Sequence, residues 1–288
     1  MDPNRGSGAE MKEAIVLPSD ERIAETSSRG KQEKWYDRET GRYYKLDQFG
    51  YEALAETVTS ALLNYSNIES DTPFPFVRYR MERLRVHGAE RIGCSSADFL
   101  ADMYVGWSIV TVHKILTQYT GGKVRDILAK MPSDRKRLLY LADAVTEYTG
   151  LAQFPQYLSL LFAVDTLILN EERHLNNIAV LEKDGTFEYC PIFDNGAVFL
   201  SAMQFHSLSI NPKALMREVR ACSFQNTFAQ QKRILETEYG KVLHMPRLAE
   251  EELCAFLDPA AAYYPEPLRS ILRDRVKTVI REQLRRYF

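Results

Sequence analysis

Apolar and polar positions follow two different periods along this chain, and the change comes after its first third. Short apolar and aromatic runs at 14–16, 22–25, 33–36 and 42–46 have the two-residue period and composition of strands. The last two are joined by Asp37-Arg38-Glu39-Thr40-Gly41, a polar connection ending in glycine, which predicts a hairpin. From Tyr51 the period becomes helical. Leu54, Ala55, Val58, Ala61, Leu62 and Tyr65 recur at three- and four-residue steps and share one face. Pro73 and Pro75 close that region; β-like stretches follow at 76–81 and 84–87, and 90–95 leads out of them with Gly93 as a break. After Ser96 the pattern is largely helical. Residues 99–119, stopped by Gly121-Gly122, predict one or two helices, followed by helices at 124–129, 135–148 and 156–169. The last of these is apolar on every side, which predicts a buried helix. Two short strands between 178 and 192 flank Lys183-Asp184-Gly185 as a second hairpin, and 212–288 reads as four helices, the longest near 267–287. The order predicts an α+β fold with segregated halves: a flexible tail and first strand over 1–20, a small β-rich lobe with one helix over 21–93, and a large, mainly helical lobe over 94–288.

Composition narrows the picture modestly. An apolar fraction of 45% against 26% charged residues suits a folded globular chain. The net charge of −2 gives no general attraction to polyanions, so neither nucleic acid nor a membrane is expected as a partner. Basic clusters at 78–85 and 281–286 read as solvated faces. Cys94, Cys190, Cys222 and Cys254 form no C-x-x-C pair and are too sparse for a disulfide scaffold, so they read as buried thiols in a reducing, cytoplasmic setting. No window approaches the roughly 18 apolar residues of a membrane span. The polar residues 1–10 lack the apolar core of a signal peptide.

Candidate chemistry begins where the buried helix ends. Asn170-Glu171-Glu172-Arg173-His174-Leu175-Asn176-Asn177-Ile178 is a mostly polar loop between an apolar helix and an apolar strand; after the hairpin comes Phe193-Asp194-Asn195-Gly196. Such a loop either faces solvent or walls a site, and its acids, amides and basic residues favour a site. Phosphoryl transfer needs these parts: a carboxylate to orient the attacking hydroxyl, an amide to hold a metal, and a second acid to bridge that metal to phosphate. The metal expected is Mg²⁺, which prefers oxygen ligands.

Glu172-Arg173-His174-x-x-Asn177 resembles the Asp-x-His-x-x-Asn catalytic loop of HipA-like kinases and the Asp-Arg-His-x-x-Asn loop of phosphoinositide kinases. Phe193-Asp194-Asn195-Gly196 resembles the metal-binding Asp-x-Gly element that follows the hairpin in both. Arg42-Tyr43-Tyr44-Lys45 is similar to the strand carrying the phosphate-contacting lysine, and Glu56 falls where HipA-like proteins carry its helix partner. Glu52, one turn earlier, shares that face and stays open as the alternative. Ser27-Ser28-Arg29-Gly30-Lys31 occupies the place of the phosphate-covering loop, where backbone amides with Ser28, Gly30 and Lys31 would hold phosphate.

The resemblance runs over residues 21–200 and is nearest to the HipA-like and CtkA-like Ser/Thr kinases of bacteria. It implies a two-lobed protein-kinase-like fold that uses ATP and Mg²⁺ and phosphorylates a Ser or Thr of a protein or peptide. It further implies that Lys45, paired with Glu56, holds the α- and β-phosphates; that Asn177 and Asp194 hold Mg²⁺; and that Glu172 orients the acceptor. Cys94 would edge the adenine site, while Asp165, Arg173 and His174 would brace the loop. One departure matters. These families have Asp where this chain has Glu172, and a misplacement of about 1 Å can cost on the order of 100-fold in rate. An active kinase reshaped around Glu172, a nucleotide-binding pseudokinase acting as a regulatory module, and an inactivated enzyme all stay open. A lipid or small-molecule kinase and an AMP-transferring enzyme are further alternatives, although no basic amphipathic membrane surface favours lipid.

Overall fold

The computed structural model describes residues 14–17, 32–222, 224 and 226–288. The strand expected at 22–25 and the loop residues Ser28, Gly30 and Lys31 lie outside the described residues. The N-terminal third builds one sheet. It comprises β1 (Ile15–Val16), β2 (Lys34–Asp37), β3 (Arg42–Leu46), β4 (Tyr79–Val86) and β5 (Ala89–Ala97), in the order β1-β4-β5-β3-β2. β1 runs parallel to β4 and the other pairs are antiparallel. Alternation gives the sheet two faces. Trp35 stands opposite Tyr44 in the β2–β3 register, and both join Leu17, Leu46, Leu84 and Val86 in a small outer core. The other face receives α1 (Glu52–Leu63), whose Leu54, Ala55, Val58 and Leu62 are fully buried.

Two expectations need correction here. The stretches at 76–81 and 84–87 are one strand, β4, and β5 passes straight through Gly93 and ends only at Ala97, beyond the boundary read at 93. Gly93 is a close approach rather than a break. A Cβ there would stand 2.4 Å from the carbonyl oxygen of Lys45 and 2.5 Å from Leu84 Cδ1, so only a bare backbone lets β3, β4 and β5 meet.

After α2 (Ile68–Asp71) and the sheet comes the helical lobe. The region 99–119, read as one or two helices, is instead α3 (Phe99–Asp102), β6 (Ser108–Thr111) and α4 (Val112–Thr120). β6 pairs antiparallel with β7 (Ala179–Lys183), placing Val110 opposite Val180; β7 then turns at Asp184-Gly185 into β8 (Thr186–Tyr189). α5 (Val124–Ala129) leads to α6 (Asp134–Thr149), capped by Ser133, whose hydroxyl accepts from the Lys136 amide, and closed by Gly150 at φ 75°. α7 (Phe154–Ile168) is buried along almost its whole length between α6, α9 (Phe228–Tyr239) and α11 (Leu268–Tyr287). α8 (Pro212–Glu218) and α10 (Glu250–Ala261) complete the lobe, and α10 packs against α1, so one apolar core runs through both lobes. Cys94 and Cys190 are buried, whereas Cys222, past α8, and Cys254, on α10, are half-exposed. Among the described residues no helix is long and apolar enough to cross a membrane.

A second link between the lobes lies at the foot of α1. Asp47 accepts from the Ala53 amide at 2.7 Å and from the Tyr264 hydroxyl at 2.6 Å. Burial pushes its carboxyl from 3.8 up to about 7, against the pull of those two bonds and of Arg91, with nearby Glu52 adding to the rise. The folded value lies above the unfolded one, so the stabilisation is present at low pH and is lost as pH rises from about 4 through 7. Asp47→Asn should flatten that decline. Thermal midpoints measured across this window should fall for the wild type relative to the variant; parallel curves would refute the assignment.

Candidate active site

The loop expected to carry chemistry starts at an abrupt stop. Leu169 adopts φ 55°, a left-handed cap that turns the chain out of α7. Asp165, in the last turn of α7 and 2% exposed, accepts from the Asn170 side-chain amide at 3.0 Å and from Arg173 Nε through both carboxylate oxygens at 3.1 Å. Burial pushes Asp165 up to about 6, and Arg173 and Asn170 pull against it. The Arg173 guanidinium reaches further. Its Nη1 donates to the carbonyls of Asn177 (2.9 Å) and Phe193 (3.2 Å), and its Nη2 to Asn195 Oδ1 (2.8 Å). One buried cation therefore ties the loop at 170–177 to the turn at 193–196. His174 donates its backbone amide to the Glu172 carbonyl at 2.7 Å, tightening the loop into a turn.

Asn177 is 5% exposed and donates its side-chain amide nitrogen to the Glu172 carbonyl at 3.0 Å, so its carbonyl oxygen is the acceptor end of the side chain. Asp194 adopts φ 60°, a left-handed conformation that aspartate tolerates better than most residues. Its Oδ1 lies 2.8 Å from Lys45 Nζ, and the same ammonium lies 2.6 Å from Glu56 Oε1. The other oxygen of Glu56 accepts from the Asn195 amide at 2.9 Å. Of the two glutamates left open, Glu56 reaches Lys45. Glu52 instead accepts from the backbone amides of Gln48, Phe49 and Gly50, at the N-terminus of α1 where negative charge is favoured.

The electrostatics follow from this packing. Burial disfavours the Lys45 ammonium, but Asp194 and Glu56 outweigh it and hold the lysine well above its ordinary range. Asp194 is pushed up by burial and pulled down more strongly by Lys45, Lys34 and Arg173, ending well below the usual carboxylate range. Glu56 is raised by burial, only partly countered by Lys45 and reinforced by Asp194. Asp194 is therefore a committed anion.

A cavity of about 280 Å³ opens in front of these groups, walled by Lys34, Glu171, Glu172, Asn177 and Asp194, with Phe205 at 75% exposure on its rim. Glu172 is exposed, and its backbone amide is fixed by Asn170 Oδ1 at 3.1 Å. Cys94 sits opposite Lys45 on β5 at 1% exposure, and it does not line this cavity. The sequence reading missed two contributors. Lys34 faces the cavity while its neighbour Trp35 faces the outer core, so strand alternation carried the signal. Glu171, given no role in the sequence reading, lines the cavity and meets His206 Nε2 at 2.6 Å.

The donors fit Mg²⁺. Among the described residues no three His, Cys, Asp or Glu side chains cluster into a metal cage of protein alone. A carboxylate and an amide oxygen facing one cavity are instead the hard, incomplete set that Mg²⁺ takes when waters and substrate phosphates supply the rest.

Comparison with known proteins places this geometry in context. No family model matches the chain, and no curated protein matches it in sequence. Solved structures do. The proinflammatory kinase CtkA of Helicobacter pylori is similar over 96% of this chain and 100% of its own, with a TM-score of 0.59 and 10% identity. HipA of Shewanella oneidensis, solved as a toxin–antitoxin complex with HipB and operator DNA, is similar over 93% of this chain and 66% of its own, with a TM-score of 0.51 and 13% identity. At these identities the likeness concerns the fold: the chain has the two-lobed, kinase-like α+β architecture of CtkA and HipA.

Proposed function

We propose that the protein is an ATP- and Mg²⁺-dependent phosphotransferase that acts on a Ser or Thr hydroxyl of a protein or peptide. One observation carries this reading. The Lys45 ammonium is clasped between Glu56 and Asp194, and Asp194 shares a cavity wall with Asn177 and Glu172. A lysine so held is a fixed positive charge for the α- and β-phosphates, and its two carboxylates prevent it from swinging away. Asp194 and Asn177 would hold Mg²⁺, which when bound neutralises charge on the phosphates. Lys34, across the cavity, adds a second cation on the phosphate side. Glu172 orients the acceptor hydroxyl and takes its proton. The bond that its backbone amide donates to Asn170 Oδ1 fixes where that side chain starts, and the extra methylene relative to aspartate lengthens its reach.

The exposure of Glu172 favours one other reading, a nucleotide-binding module without turnover. Both readings predict binding. Mg-ATP at 100 times its dissociation constant should stabilise the fold by about 2.7 kcal/mol, or raise the melting temperature by about 4 °C. Incubation with γ-labelled ATP and a Ser/Thr peptide mixture then separates them, because only a kinase moves label to peptide. Label arriving from the α position instead would mean nucleotidyl transfer. The absence of any Mg-dependent nucleotide shift would sink both readings.

A further inference from the structure

Between Ala197 and His206 the chain leaves the Asp194 turn, crosses to the N-terminal lobe and comes back to the catalytic loop. One residue holds both of its ends. The Glu171 amide donates to the Ala197 carbonyl at 3.2 Å, and the Glu171 carboxylate meets His206 Nε2 at 2.6 Å. Arg275, 3% exposed, secures the return by donating to the carbonyls of His206 (3.0 Å) and Ser207 (2.6 Å). Midway, the segment docks on the residues that lead into α1. Gly50 pairs with Ala202 in an antiparallel bridge, the Met203 amide donates to the Phe49 carbonyl at 3.1 Å, and the Tyr51 hydroxyl donates to the Phe199 carbonyl at 2.7 Å.

Gly50 is the key to this crossing. A Cβ there would stand 1.8 Å from the Ser201 carbonyl oxygen, which is backbone and has no rotamer by which to yield. Ser201 is itself pinned, its hydroxyl donating to the Gly196 carbonyl at 2.6 Å. Phe199 and Leu200 sit at φ 53° and 65°, a conformation that bulky residues hold only where their surroundings impose it. On the other side, the Glu52 carboxylate gathers the amides of 48–50, so the approach to α1 and its first turn move as one body, and Glu56 lies one turn further along.

We propose that segment 197–206 is a brace that sets α1, and with it Glu56, against Lys45 and Asp194. Gly50 and Glu171 are then positioning residues for the phosphoryl transfer proposed above. The assignment rests on that reading for its catalytic meaning, whereas the mechanical coupling stands on its own geometry.

Gly50→Ala tests it, with Gly122→Ala as control, since a Cβ at Gly122 meets nothing nearer than 3.9 Å. Amide exchange followed by mass spectrometry should show faster exchange confined to 197–206 and the first turns of α1 in Gly50→Ala. The control should match the wild type. Turnover of Mg-ATP should drop on the order of 100-fold, as expected for a displacement of about 1 Å, while affinity for ADP without Mg²⁺ changes less than about 3-fold. Tyr51→Phe deletes the hydroxyl's bond to Phe199 and its contact with Arg275 and adds no atoms, so it guards against a misfolded Gly50→Ala and should give at least a 3- to 10-fold drop, about the worth of one hydrogen bond. Unchanged exchange in 197–206, or local exchange with unchanged turnover, overturns the proposal. A wild type that binds nucleotide without turnover defeats the reading of function instead, and the exchange profile still decides the coupling.

Discussion

Asp194→Asn is expected to lower Mg-dependent phosphoryl transfer by about a thousandfold or more while leaving the fold in place. A preorganised charge aimed at a developing transition state is worth about 3–4 kcal/mol when removed, and each 1.4 kcal/mol is tenfold in rate. Asp194 faces two ways: one oxygen is on Lys45, and the carboxyl also walls the cavity shared with Asn177. Asparagine keeps the shape and tolerates φ near 60°, so backbone strain is not added. Lys45 keeps Glu56 at 2.6 Å, so no buried cation is stranded. The measurement is single-turnover transfer from γ-labelled ATP alongside a thermal melt. Turnover within tenfold of wild type would remove Asp194 from the chemistry, and a collapsed melt would mean that its role is structural.

Arg173→Met should have the opposite signature, a loss of stability before any question of activity. Arg173 is 2% exposed, and its donors reach Asp165, two backbone carbonyls and Asn195. Breaking a buried ion pair from one side costs about 3–5 kcal/mol, and each stranded carbonyl adds about 1–3. Against a total stability of about 5–15 kcal/mol, that is enough to abolish or nearly abolish cooperative unfolding. Asp165→Leu in the Arg173→Met background should recover part of the loss by removing the orphaned carboxylate, and urea titration of the single and double variants reads the coupling. A loss below about 1 kcal/mol for the single variant would show that the loop and the 193–196 turn do not depend on this cation.

How far the site could be read from sequence depended on how local each relation was. The loop from Asn170 to Asn177 and the turn around Asp194 were legible, because their spacing is set within a few residues and the hairpin between them has its own turn signal. Lys45 and its helix partner were legible as a class but not as a pair. Glu52 and Glu56 share a helical face, and only the position of the 48–50 amides, which take Glu52, separates them. β6 was missed for a related reason. Ser108–Thr111 is short, and what makes it a strand is β7, some seventy residues later. Glycine was the most misleading letter. Gly93 reads as a break in one dimension, yet it, like Gly50, marks a place where two backbones touch. The link from Glu171 to His206 had no sequence signal at all, since it depends on how the chain returns from the N-terminal lobe.

The contact between Tyr264 and Asp47, with α10 lying along α1, bears on how the proposed nucleotide would enter. Jaws that swing freely need a hinge and nothing else between them. Here a helix, a phenol and a carboxylate join the two lobes through one apolar core, so wide gaping would tear apolar surface into water. On the proposed function, loading would then rely on small shifts of the cavity rim, near Phe205 and Lys34, rather than on rotation of one half of the molecule against the other.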